Sequence, residues 1–97
     1  MKTTWTVWSL DVWGNPRDGF EVNDRSRCGV VELGKEPKDA EVIRALKAGG
    51  FLSDKARASN IEVGGDDLDI TIDDKRSGRP LLSLELDPDA KWKAARW

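Results

Sequence analysis

The 97-residue chain predicts an α+β fold: an antiparallel sheet of four to five strands with one main helix packed on it, in the order ββαβββ or ββαββ. Three observations carry this. Apolar and polar residues alternate with period two in Thr3–Trp13 and again in Asp67–Asp73 and Pro80–Asp87, the spacing of half-buried strands. Between them Val42, Ile43 and Leu46 recur at helical spacing and run into Gly49-Gly50. Short turn-forming clusters separate the segments.

Thr3–Trp13 places Trp8, Leu10 and Val12 on one face and Trp5, Val7 and Asp11 on the other. Both faces are partly apolar, so a central strand is expected, with Trp8 in the core and Trp13 over the corner that follows. Gly14-Asn15-Pro16 breaks the strand and Asp18-Gly19 is a strong turn pair. Phe20–Val22 resumes extension, Asn23–Ser26 interrupts it as a loop or bulge, and Cys28–Leu33 continues as a second strand. Pro37 suits a first helical turn and Asp39 the positive end of the helix dipole. Ser53-Asp54 could cap one short turn through Ala58. Ile61–Val63 is a short strand or its lead-in. The closing hairpin points Leu68, Ile70, Ile72, Leu82, Leu84 and Leu86 inward.

Length fits one domain, residues 1–97, with residues 88–97 a basic, aromatic tail. No apolar run is long enough to span a bilayer, and the first twelve residues lack a signal peptide's apolar stretch, so no membrane partner and a cytoplasmic location in the host cell are expected. The lone Cys28 agrees with a reducing compartment and reads as a small buried strand residue. The net charge of −2 is uneven: residues 61–97 carry nine Asp/Glu against six Lys/Arg, and Glu62–Asp74 holds six carboxylates with no base. This is not the strongly basic footprint of a nucleic-acid binder.

The chain has no His, which removes the commonest general base and every His-containing metal site. Asp11, Glu21 and Asp24 are the one carboxylate set a turn could converge, and a cleft in so small a domain would be cramped; no catalytic residues, metal site or cofactor are assigned. Asp67 with Asp69, and Asp11 with Asn15 and Asp18, lack the fixed spacing of a calcium loop and read as solvated carboxylates. The partner-binding candidates fall in three groups. Asp11, Trp13, Asp18, Glu21 and Asp24 form the corner, where the plainer reading is that the acids bond the turn's own backbone. Asp67, Asp69, Asp73, Glu85 and Asp87 line one face of the last hairpin; like charges held together there suit a host protein with a basic surface. Trp92 and Trp97 serve to pack the tail on the sheet or on a second copy, so monomer and homodimer both stay open.

Asp11-Val12-Trp13-Gly14-Asn15, followed by Asp18-Gly19 and Glu21-Val22-Asn23-Asp24, resembles a family of small proteins encoded by bacteriophages, prophages and other mobile elements, which carry the pattern D-x-W-G-N-x-x-D-G-x-E-V-N-D. The likeness is strongest over these residues and loose elsewhere. It implies a setting: proteins of that kind act by binding and blocking a host factor, including CRISPR and other defence complexes. The expected function is therefore a non-enzymatic binding protein. Two alternatives stand beside it: a nucleic-acid module using Arg25, Arg27 and the tail, and a metal-dependent or carboxylate-based small enzyme.

Overall fold

The computed structural model describes residues 2–34, 36–65 and 69–86. Two long strands, β1 (Lys2–Asn15) and β2 (Gly19–Gly34), lead into one helix, α1 (Asp39–Ala48). Three shorter strands follow: β3 (Ile61–Gly65), β4 (Asp69–Asp74) and β5 (Pro80–Leu86). All pairings are antiparallel, in the order β2-β1-β5-β4-β3. The fold is thus α+β with ββαβββ order. Closing β5 against β1 joins the first hairpin to the last three strands in one sheet.

The helix α1 covers one face. Val42, Ile43 and Leu46 meet Trp5 and Val7 of β1, Val31 and Leu33 of β2, and the alternating residues Ile61, Ile70, Ile72, Leu82 and Leu84. Sequestering these side chains from water is the main term stabilising the fold. Lys38 caps the helix with extended backbone and no side-chain bond, so Pro37 precedes the helix instead of sitting in its first turn. Gly50 takes φ +81°, and the Phe51 amide donates to the Leu46 carbonyl at 2.8 Å, a left-handed stop. The Phe51 ring then lies against Gly29 and Gly49, where a Cβ would meet it at 2.8 and 2.6 Å. Glu41 accepts the Gly34 amide at 2.9 Å and ties the helix to the end of β2.

The core side of β1 is not the expected one, that of Trp8. Trp5, 1% exposed, is the buried tryptophan; Trp8 stands on the opposite, uncovered face, half-buried. The two faces of β1 divide as alternation requires, but both carry apolar residues. What selects the Trp5 face is the parity of Val31, Leu33 and Leu84 in the neighbouring strands.

β2 is one continuous strand with two bulges. The register shifts between Val7 and Trp8, and between Asp11 and Val12, leave Cys28 and Asn23 without a partner on β1. Each bulge moves the following side chains to the other face. That brings Arg27 opposite Trp8 and Arg25 opposite Leu10, on the uncovered face. Cys28 is exposed at its bulge, not buried, and its Sγ lies 3.7 Å from the Ser26 carbonyl. Ser53 makes a tight turn by accepting the Lys55 amide at 3.1 Å, with no helical turn after it, and Ala56 fills the core below.

β5 pairs with β1 only from Trp5 to Ser9. Beyond Ser9, therefore, β1 and β2 run on as a two-stranded ribbon.

Candidate functional site

The ribbon tip is built by turn chemistry. Asn15 Oδ1 accepts the amides of Arg17 at 3.0 Å and Asp18 at 2.8 Å, and its Nδ2 donates to Asp18 Oδ2 at 3.2 Å. Pro16-Arg17-Asp18 is the three-residue loop and Gly19, at φ +95°, supplies the left-handed residue that closes it. Gly14, at φ +111°, leaves no room for a Cβ against the Gly19 carbonyl. Lower down, Asp11 and Asp24 stand directly opposite each other, as do Trp13 and Glu21. Asn23 Nδ2 donates to Asp11 Oδ2 at 3.0 Å, and Asp24 Oδ1 accepts the Arg25 amide at 2.8 Å. Three of the four corner acids are thus bonded within the ribbon, while Glu21 makes no such bond. By alternation Asp11, Trp13, Glu21 and Asp24 share the side of the ribbon that continues the Trp5 face, past the reach of α1. Trp13 does not cover the corner: it is 62% exposed. The other side is apolar and better filled. Val12 is buried there, and Arg79 Nη2 donates to its carbonyl at 3.4 Å.

The uncovered sheet face is the second region. Asp69 faces Glu85 across β4 and β5, and Asp73 faces Glu62 across β4 and β3. Burial, and then the nearby Glu62 charge, push the Asp73 carboxyl above its ordinary pKa. Asp74 belongs to the turn instead: the Ser77 hydroxyl at 2.6 Å and then its amide at 3.1 Å hold its carboxyl below the usual range. Toward β2 the charge reverses. The Arg25 guanidinium lies 3.9 Å from the Trp8 ring centre and 4.0 Å from Glu85 Oε1. The Trp8 Nε1 beneath is buried without a hydrogen-bond partner. Between the two halves runs a shallow groove of about 340 Å³, floored by Leu10, Val22 and Pro80 and flanked by Arg25 and Asp73.

The acidic corner and the acidic hairpin face therefore do not converge. They lie on opposite sides of the sheet. Asp67, Asp87, Trp92, Trp97 and the tail lie outside the described residues. Glu62 joins the face unanticipated, although Ile61 and Val63 pointing inward already require Glu62 to point outward. Arg25 could not be placed without the bulges.

Among the described residues no three His, Cys, Asp or Glu stand together as a metal site, and no helix is long and apolar enough to cross a membrane. Compared with known proteins, the chain matches no family model, no curated protein and no solved structure.

Proposed function

We propose that this protein is a small binding module of a mobile element that docks a basic surface of a host protein onto the uncovered face of its sheet. The observation that supports it is the acidic half of that face: Glu62, Asp69, Asp73 and Glu85 paired like against like across three strands. Like charges opposite one another weaken a sheet, and Asp73 is raised by burial and by Glu62. A cationic partner relieves that repulsion and draws steered association from it. The setting, a phage or prophage protein blocking a host factor in the bacterial cytoplasm, rests on the motif resemblance, with a CRISPR or other defence complex as its sharpest form. No chemical step is assigned.

The test is capture of partners from a bacterial host lysate, followed by affinity measurement on the purified partner. Asp69→Lys/Asp73→Lys is expected to weaken binding about tenfold or more at low salt, with a smaller loss as salt rises. Unchanged affinity in a variant of normal melting temperature overturns the reading. A second reading, nucleic-acid binding, draws on the bulges that bring Arg25 and Arg27 to this same face. Its carboxylates oppose that reading, and no retention of DNA or RNA at low salt eliminates it.

A further inference from the structure

We infer that the tip of the β1–β2 ribbon is a receptor for a cationic side chain, an arginine or lysine of a partner protein, stacked on Trp13 beside Glu21 and Asp18. This goes beyond the sheet-face reading and does not rest on it, because Trp13 and Glu21 stand on the opposite side of the sheet.

Trp13 is 62% exposed, and of the other large apolar side chains among the described residues Val22, at 48%, comes nearest to it. A tryptophan left this open in a chain that buries Trp5 almost completely is a binding anchor in waiting. Its surroundings specify the ligand. An open hollow of about 460 Å³ is lined by Trp13, Phe20, Asp18, Glu21 and the two glycines Gly14 and Gly19. Trp13 and two carboxylates are in its lining and no basic residue is. Phe20 reaches it from the strand position opposite Gly14; the Phe20 side chain belongs to the other side of the ribbon, where Arg79 lies over its ring. An aromatic face attracts a cation, tryptophan most strongly, and a carboxylate beside it adds a charge-assisted hydrogen bond.

The molecule already uses this chemistry on itself. Arg25 lies over Trp8 at 3.9 Å and Arg79 over Phe20 at 5.9 Å. Trp13 has no cation over it among the described residues. The hollow is also held in shape before any ligand arrives. Asn15 bonds the turn and orients Asp18 through Oδ2, and a Cβ at Gly19 would meet nothing within 4 Å, so the mouth stays open. A preorganised site loses less entropy on binding.

The test uses the full chain with ¹⁵N-labelled tryptophan and three blocked tripeptides, Gly-Arg-Gly, Gly-Lys-Gly and Gly-Gln-Gly. The Trp13 indole resonance is assigned by its loss in Trp13→Phe. The arginine and lysine peptides are expected to shift it and the glutamine peptide to leave it in place. Glu21→Gln should weaken the arginine peptide about three- to tenfold. Asp69→Lys/Asp73→Lys should leave the Trp13 shift as in the parent, which separates this site from the sheet face. Trp13 and Glu21 are both exposed, so their variants should keep a native, dispersed spectrum. A Trp13 signal unmoved by the cationic peptides, moved equally by the glutamine peptide, or indifferent to Glu21→Gln overturns the inference.

Discussion

Trp5 and Trp13 lie on the same strand and the same side of it, yet one is 1% and the other 62% exposed. The difference is the helix. Over Trp5 the sheet is roofed by α1 and its shape is set by apolar burial. Past Ser9 neither α1 nor β5 follows, and the ribbon is shaped by hydrogen bonds from Asn15 and Asn23 and by two glycines. Identical residues do different work in the two regions: a tryptophan is volume in one and surface in the other.

The sharpest way to break the comparison is to truncate both rings. Trp5→Ala should cost about 3–5 kcal/mol in urea unfolding, a large part of the roughly 5–15 kcal/mol available to a domain. Trp13→Ala should stay within about 0.5 kcal/mol of the parent. Comparable losses at the two positions would show that the ribbon carries part of the core.

A smaller effect tests how the ribbon is held. Gly14→Ala combines positive φ with a clash against the Gly19 carbonyl, which backbone must move to relieve; a loss on the order of 2–3 kcal/mol is expected. Gly19→Ala, with positive φ but open space, should cost about 1 kcal/mol. Equal losses would mean that torsion alone matters at the tip.

The smallest effect belongs to the uncovered face. Because folding raises the Asp73 carboxyl above 3.8, its charged form is the disfavoured one. Its contribution is therefore destabilising above the folded pKa and vanishes as pH falls below the unfolded value. Asp73→Asn should raise the melting temperature slightly at about pH 7 and leave it unchanged at about pH 3. A lower melting temperature at both pH values would contradict a charged form disfavoured by burial and then by Glu62.

These contrasts also mark what could be read from residues alone. The helix and the succession of elements, as one of the two orders ββαβββ and ββαββ, were legible, because Trp5/Val7 against Trp8/Leu10/Val12, and Val42/Ile43/Leu46 ending at Gly49-Gly50, are local periodicities; the order of the strands within the sheet was not. Which face of β1 is the core was not, since both faces are apolar and the choice lies with Val31, Leu33 and Leu84 across the ladder. The fate of β2 was half legible. Asn23 announced an irregularity, but Cys28 looked like an ordinary strand residue, and only pairing reveals the second bulge. The corner acids, expected to bond the turn's own backbone, do so only at Asp24; Asp11 and Asp18 accept from the side chains of Asn23 and Asn15, and it is Asn15 that takes the turn amides. The opposite placement of corner and hairpin face depends on three-dimensional parity that no short motif encodes.

The two bulges have a consequence for the protein as one molecule among many copies. β2 is an outer strand, and sixteen residues of straight edge would template further strands from neighbouring chains. The unpaired Asn23 and Cys28 cut that edge into Gly19–Val22, Asp24–Arg27 and Gly29–Gly34, each twisted against the next. The longest straight stretch that β2 presents is therefore the six residues Gly29–Gly34, and a neighbouring chain that paired along it would meet the kink at Cys28 before it could run the length of the strand.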